Sequence, residues 1–323
     1  MTSGKRAGRI PVTGAGPAME MTRMTLPYGE IGERLRAFRR ASGLSAGQIA
    51  QRIGISRTAF YRFEKGGLAK IETLEKLSDL LQVPMPTLLG VGIEYLPSAV
   101  GYFERVRQLE EHAEQIVVIA GPMSLLLASD QFCPLLGQVL REGVPDQAPD
   151  RQRALADIDA IVDILHLRRE AYQRRRTSVI NLVSPLQIER FLNNGLMGRA
   201  QLPARVRAER RELARSEMLR FADLIEEEAM GVQIGLVEGL PYNGFQLFRQ
   251  GDRSTVATSP FRLSEQPNLR LGIGTVTSAP EAVALHRDIV QQAWRNAVKG
   301  AAAAQRLREL VAASLSPNPA AAC

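Results

Sequence analysis

The chain has 323 residues, of which 45% are hydrophobic and 23% are charged, and this length and composition favour two globular domains over one. No run approaches the ~18 consecutive apolar residues of a membrane helix, and no apolar stretch follows the basic residues near the N-terminus as in a secretory signal. The two cysteines, Cys133 and Cys323, are too few for a disulfide framework. We therefore expect a reduced, cytoplasmic protein.

The positive charge is concentrated near the N-terminus. Residues 1–100 contain 14 Lys and Arg against 8 Asp and Glu, a net charge of +6, whereas the whole chain carries +7. This asymmetry favours a polyanion such as nucleic acid as the partner of the first hundred residues. The alternative is that the basic surface only improves solubility.

Residues 1–28 are rich in Gly, Pro, Thr and Met without helical or strand periodicity. They are expected to form a disordered leader, and residues 315–323 a disordered tail. Met19, Met21 and Met24 leave open a translational start later than Met1.

Between residues 31 and 89, apolar residues recur at helical spacing in short segments that are separated by tight turns. The first helix is predicted at about residues 32–42 and ends at Gly43. Ser45 then caps a second helix, and Gln48 completes its capping box.

A third helix is predicted at residues 57–65, after a turn at Gly54 and the capping residue Ser56. Its inward side carries Ala59, Phe60 and Phe63. The residues on its outward side are Arg57, Thr58, Tyr61 and Arg62. A helix that exposes guanidinium groups, a hydroxyl and a phenol on one side can read base edges in the major groove of DNA.

This stretch of about sixty residues resembles the lambda repressor/Cro class of bacterial regulators, the XRE family. The resemblance rests on Arg39, Gly43-Leu44-Ser45, Ile49-Ala50, Gly54-Ile55-Ser56, Phe63-Glu64-Lys65-Gly66 and the later leucines Leu74, Leu77, Leu80 and Leu81. It implies an all-α helix-turn-helix domain of five short helices, which we place at residues 29–91. It also implies a largely buried ion pair between Arg39 and Glu64, rather than two charges on separate solvated faces.

In the family, the base-contacting positions of the third helix correspond to Arg57, Thr58 and Arg62. The family commonly has Gln early in the second helix, where this chain has Ala46, and this departure shifts weight onto Ser45 and Gln48, which could instead serve only as caps. The residues expected to contact the DNA backbone are Ser45, Gln48, Ser56, Lys65 and Lys70.

Residues 91–97 are interpreted as a linker and residues 98–114 as an amphipathic helix, so that residues 92–114 connect the first domain to a second one at 115–314. Buried-type strands alternate with helices there, which predicts a larger α/β domain with a mostly parallel sheet. The strands are predicted at residues 115–120, 179–183, 232–237, 245–248, 254–258 and 269–276, with a turn at Tyr242-Asn243-Gly244. Helices are predicted at residues 156–175 and 205–230, and after capping boxes that begin at Ser184 and Ser278.

The second domain carries no catalytic signature. The three histidines, His112, His166 and His286, lack metal-ligand spacing, and no metal or cofactor is expected. The order of elements is similar to that of phospholipase D-like sensor domains, but the His-x-Lys motif of the active members is absent. No enzymatic activity is therefore expected, with an enzyme fused to an autoregulatory DNA-binding domain as the alternative.

In open α/β sheets, ligands bind where the carboxyl ends of strands meet helix N-termini, and the free N–H groups there favour an anion. The candidate effector-binding residues are Gly121, Ser124, Ser184 and Ser278, although they could equally be helix caps only.

These patterns predict a one-component transcription regulator that binds a double-stranded DNA operator. A homodimer held together by residues beyond Pro97 is expected, because one helix-turn-helix reads too few base pairs to find a site in a genome. A small-molecule effector, anionic if it binds at the helix ends, would act on the second domain. An antitoxin-like repressor that binds a protein partner is a further alternative.

Overall fold

The computed structural model describes residues 28–199, 201–240, 244–264 and 267–315. Almost all of the predicted leader and tail, and Tyr242 and Asn243 of the predicted turn, lie outside these residues. Within them, no helix is both long enough and apolar enough to cross a membrane.

The first domain consists of five helices around a small core. The helices are α1 (Tyr28–Ser42), α2 (Ala46–Ile53), α3 (Arg57–Glu64), α4 (Ile71–Leu81) and α5 (Met85–Leu89). The core contains the apolar side chains that the helical spacing turns inward, namely Leu35, Ala46, Ile49, Ala50, Ile53, Phe60, Phe63 and Leu77. Phe38, on another side of α1, belongs instead to the core of the second domain.

The segment that we expected to be a linker contains the first strand of the sheet. Strand β1 (Ile93–Leu96) pairs antiparallel with the last strand, with Ile93 opposite Thr277 and Leu96 opposite Gly274. Side chains alternate along β1, since Glu94 and Leu96 are buried whereas Ile93 and Tyr95 are exposed. The helices of the first domain are therefore followed almost immediately by a strand of the sheet rather than by a linker.

The remaining strands are β2 (Gln115–Ile119), β3 (Ser178–Val183), β4 (Val232–Leu236), β5 (Phe245–Gln250), β6 (Arg253–Thr258) and β7 (Gly274–Thr277). Their order in the sheet is β1-β7-β6-β5-β2-β3-β4. Only β2, β3 and β4 are parallel neighbours, and every other pair is antiparallel. The predicted mostly parallel sheet is therefore wrong, because β5 and β6 are joined by a tight turn at Gly251-Asp252, which can connect only antiparallel strands.

The helices of the second domain are α6 (Ala99–His112), α7 (Phe132–Glu142), α8 (Arg151–Arg175), α9 (Pro185–Asn194), α10 (Ala204–Glu226), α11 (Pro280–Asn296) and α12 (Gly300–Ala313). Helices α7 and α12 were not predicted from the sequence. The expected capping boxes are not formed, since Ser184 makes no capping hydrogen bond with its side chain and Ala279, not Ser278, is the N-cap of α11.

The two faces of the sheet have separate cores. One face packs against α6 to α10 and α12, and the other against α11. Helix α6 lies between α1, α8 and the sheet, and Glu104, Val106 and Gln108 are at most 1% exposed. We expected an amphipathic helix that could contribute to a dimer interface, but α6 has no exposed apolar face to offer.

Candidate nucleic-acid interface

Helix α2 is held at its start by the predicted capping box. Ser45 Oγ accepts a hydrogen bond from the Gln48 backbone N–H at 3.2 Å, and Gln48 Oε1 accepts one from the Ser45 backbone N–H at 2.8 Å. Both residues are exposed. The side chains that we expected at a DNA backbone therefore also set where α2 begins.

A tight turn links α2 to α3. Gly54 adopts φ 75° and ψ 36°, in the left-handed region that favours glycine, and its backbone N–H donates to the carbonyls of Ala50 and Gln51. Ser56 follows and accepts a hydrogen bond from the Ala59 N–H at 3.1 Å. This cap starts α3 at Arg57 and so determines which side chains point outward.

The outward side of α3 consists of the four residues expected to read bases, all exposed: Arg57, Thr58, Tyr61 and Arg62. The Arg57 guanidinium lies over the Tyr61 ring, 5.4 Å from its centroid, and Nη2 donates to the Tyr61 hydroxyl at 3.2 Å. This hydrogen bond raises the pKa of Arg57 above its ordinary value. The ring thus supports a charged, planar donor that points away from the protein.

The C-terminal end of α3 is fixed against α1. Arg39 Nε donates to Glu64 Oε1 at 2.6 Å and Nη2 to Oε2 at 3.4 Å, and the two side chains, 16% and 5% exposed, form a largely buried ion pair. Gly32 allows the close approach, because a Cβ there would lie 2.5 Å from the Phe63 carbonyl oxygen. The orientation of α3 therefore depends on α1.

The charge of residues 43–70, which include α2 and α3, is predominantly positive. Between residues 43 and 70 the only acidic residue is Glu64, which Arg39 neutralises. The basic residues of this stretch are all exposed and are Arg52, Arg57, Arg62, Lys65 and Lys70. A surface of this kind attracts the phosphates of a nucleic acid.

Comparison with known proteins agrees with this geometry. A family model described as a helix-turn-helix domain matches residues 30–89. RstR, the transcriptional repressor of the cryptic phage CTXphi of Vibrio cholerae, is 30% identical over 90 residues, which are 27% of this chain and 80% of RstR. The chain belongs to the helix-turn-helix family of transcriptional regulators.

Two archaeal proteins named as HTH-type transcriptional regulatory proteins are also similar. The protein of Methanocella arvoryzae is 41% identical over 59 residues, 18% of each chain. The protein of Pyrobaculum aerophilum is 35% identical over 110 residues, 32% of this chain and 44% of its own length. This chain therefore spans less than half of either archaeal relative. The alignment with the solved structure of TrmBL2, an archaeal chromatin protein, covers 83% of this chain and 93% of that one, with a TM-score of 0.31 and 10% identity.

In this regulator the helix-turn-helix domain is joined to the sheet by a buried carboxylate, Glu94 on β1. Glu94 accepts hydrogen bonds from Arg34 Nε at 2.7 Å and from Arg105 Nε and Nη2 at 2.8 and 3.0 Å. Arg34 lies against Gly90, where a Cβ would come within 2.2 Å of its guanidinium carbon. Burial raises the pKa of Glu94, but Arg105 and Arg34 lower it by more, so that the pKa lies below its ordinary value and the pair stays charged.

A second buried carboxylate, Glu104 on α6, repeats this arrangement. It accepts hydrogen bonds from Arg40 Nη1 at 2.6 Å and from Arg107 Nε and Nη2, both at 3.0 Å. Burial raises the pKa of Glu104, but Arg107 and Arg40 lower it to below its ordinary value. Since Arg34 and Arg40 both lie on α1, these carboxylates hold α1, and through it α3, in one orientation relative to the sheet.

Sequence reasoning missed the residues that provide this connection: Gly32, Arg34, Gly90, Glu94, Glu104 and Arg105. A charged residue next to apolar positions was the only local signal, and it does not identify the partner. Arg52 was missed as well, although the lack of acidic residues around it in the sequence could have indicated it.

The four candidate effector residues are not brought together. Gly121, Ser124 and Ser184 follow the carboxyl ends of the parallel strands β2 and β3, whereas β7 runs in the opposite direction and places Ser278 at the other end of the sheet. Ser124 and Ser184 are buried, and the Ser124 N–H already donates to Asn181 Oδ1 at 2.8 Å. Ser278 is therefore withdrawn from this site.

Proposed function

We propose that the chain binds operator DNA by placing α3 in the major groove and that it regulates transcription from that site. The observation that carries the proposal is the outward side of α3, which lies within a stretch whose only acidic residue is neutralised. The role requires no catalytic step. It places the protein in the cytoplasm, where DNA is accessible in bacteria and archaea.

Base readout is assigned to Arg57, Thr58, Tyr61 and Arg62. A guanidinium can donate two hydrogen bonds to O6 and N7 of guanine, and the Thr58 methyl can contact a thymine methyl. Tyr61 supports Arg57 and limits the directions in which its donors point. This arrangement is the one expected of a lambda repressor/Cro-like, or XRE-type, reader.

Phosphate contacts are assigned to residues around α3. Lys65 and Lys70 supply charge beyond its C-terminal end, and Arg52 adds charge on α2. Ser45, Gln48 and Ser56 lie at the N-terminal ends of α2 and α3, where the helix dipole favours an anion. These contacts set the register of the protein on the duplex but carry little sequence information.

We infer that two copies bind together, as a homodimer on two half-sites about one helical turn apart. We also infer that the second domain carries the regulatory input as an effector sensor. A cavity of about 530 Å³ supports this inference, since it opens beside Pro185 at the start of α9 and is also lined by Val237, Glu238 and Arg306. If cell extract depleted of macromolecules leaves the operator affinity of the full chain unchanged, the sensor assignment fails.

The test of the DNA-binding proposal is selection of binding sites from random duplexes by the full chain, followed by affinity measurements on the selected sequence. Arg57→Ala and Arg62→Ala should each cost about 1–3 kcal/mol of specific affinity and less on random DNA. Arg205→Ala is the matched control, because Arg205 is an arginine of α10 whose side chain is 90% exposed. Unchanged site preference in both α3 variants would show that α3 is not the reading helix.

A further inference from the structure

The two edges of the sheet differ in whether another part of the chain covers them. At the β4 edge, the Leu236 and Val298 backbones exchange two hydrogen bonds of 2.9 Å, and α12 packs beside the strand. At the β1 edge, no described strand pairs with the outer side of Ile93–Leu96. An open edge leaves a row of unpaired N–H and C=O groups that can pair with another extended chain.

The open edge is also apolar. Ile93 and Tyr95 on β1 are 42% and 55% exposed, and Val91, just before β1, is 47% exposed. Leu271 and Ile273 are exposed where the chain enters β7, beside Leu96. We call these five residues the β1 patch. Helix α11 packs mainly on β5 and β6, so it leaves this end of the same sheet face uncovered.

The charges near the edge favour a second copy of the chain as the occupant. Edges that must remain single usually carry a lysine or another charge that discourages pairing. Here Glu94 is the only charged residue between residues 83 and 103, and it is buried between Arg34 and Arg105. This stretch therefore exposes no charge that would repel a second copy along β1.

If a two-fold axis passes through β1, each copy pairs the free backbone groups of its β1 with those of the other copy, and both use the same surface. Antiparallel pairing of β1 with its copy joins complementary backbone groups and places apolar side chains opposite apolar side chains. One strand alone buries too little area for a stable interface, which needs about 800 Å² on each partner. The β1 patch supplies additional apolar area on both sides of the axis.

We propose that the β1 patch is the homodimer interface of this regulator and that the two sheets join edge to edge through β1. This inference rests on the proposed function in one respect: the role given to the interface is to hold the α3 helices of the two copies in position on DNA. Because Arg34 binds Glu94 of β1 and Arg39 binds Glu64 of α3, joining the β1 strands holds the two copies of α3 in one relative orientation. Strand β1 thus lies before Pro97, outside the residues that were expected to hold the dimer together, whereas Leu271 and Ile273 lie among them.

Charge substitution at Ile93 tests the proposal in the full chain. Since this side chain is exposed, neither Ile93→Glu nor Ile93→Lys buries a charge in the monomer. Each variant alone should weaken dimerisation about 100-fold or more, because like charges meet near the axis. An equimolar mixture of the two should recover a dimer by sedimentation velocity at micromolar concentration. Met230→Glu is the matched control, because Met230 is 96% exposed next to β4, at the other edge.

A monomeric wild-type chain, an Ile93→Glu chain as dimeric as the wild type, or a mixture that stays monomeric would each overturn the proposal. Loss of the dimer in Met230→Glu would move the interface to β4 and also overturn it. Binding to a duplex with one half-site separates the two proposals, since Ile93→Glu should keep wild-type affinity there. If the wild type binds no duplex but sediments as expected, the proposed function fails and the interface stands.

Discussion

Replacing Glu94 by Gln should destabilise the whole chain, because it removes the negative charge between two buried arginines. The Arg34 and Arg105 side chains are 6% and 3% exposed, so neither guanidinium can regain hydration without opening the structure. Breaking a buried pair in this way costs about 3–5 kcal/mol. For a chain of this size, such a loss corresponds to a fall of about 4–7 °C in melting temperature.

Urea unfolding of the full chain, followed by circular dichroism, measures this loss. The matched control is Glu111→Gln, which removes the same charge from a glutamate that is 42% exposed and pairs with Arg107. Because Glu111 is exposed and Arg107 keeps its hydrogen bonds to Glu104, losing this pair should cost about 1 kcal/mol at most, and the control should stay close to the wild type. The reasoning is refuted if Glu94→Gln also lies within about 1 kcal/mol of the wild type.

The pH dependence provides a second measurement of the same carboxylate. The pKa of Glu94 in the folded chain lies below its ordinary value, which is about 4.3 in an unfolded chain. The stabilisation is therefore fully present above about pH 4.3 and is lost as the pH falls through the folded pKa. The stability difference between the wild type and Glu94→Gln should accordingly narrow below pH 4. A difference that remains constant down to pH 3 would contradict the assignment.

Three further predictions concern the helix-turn-helix domain. Glu64→Gln should lower stability by about 1.5–3 kcal/mol in thermal melts, because it weakens a charged hydrogen bond to Arg39, and an unchanged melting temperature would mean that the pair does not hold α3. Gly32→Ala should lower the free energy of unfolding by about 1–3 kcal/mol, because the added Cβ clashes with the Phe63 carbonyl. Gly47→Ala is the control and should be neutral or stabilising, since only Ser45 Oγ lies near the added Cβ, at 3.9 Å. Equal effects of the two substitutions would refute the close approach of α1 and α3. Lys65→Ala should reduce the slope of log affinity against log salt by about 1 without changing site preference, and an unchanged slope would remove Lys65 from the phosphate contacts.

The helix-turn-helix domain was largely predictable from the sequence, because the contacts that determine where its helices begin and end are local. The capping box at Ser45 and Gln48, the left-handed turn at Gly54 and the cap at Ser56 each involve residues within four positions of one another. Once α3 starts at Arg57, the helical repeat alone decides that Phe60 points inward and Tyr61 outward. The outward face could therefore be identified without knowledge of the rest of the fold.

The second domain depended on contacts between distant residues. The strand segments were mostly located correctly, but their order and direction were not, because a strand's pattern of apolar residues does not identify its neighbour. Ser278 illustrates this, since its place in the effector site depended on the direction of β7. Strand β1 resembled a linker because it has only four residues, and only pairing with β7 makes it part of the sheet.

The buried charges show what the tertiary structure alone decides. In the sequence, Glu94, Glu104 and Arg105 look like ordinary surface residues, because charged side chains are seldom buried without a partner. Their partners Arg34 and Arg40 lie about sixty positions away, and no local rule connects them. The sequence by itself determined which side chains α3 turns outward, whereas only the packing of α1 against β1 and α6 determined how α3 is held relative to the rest of the protein. The physical reason is that caps and turns act between neighbours in the chain, whereas the burial of an ion pair requires that folding first bring its two partners together.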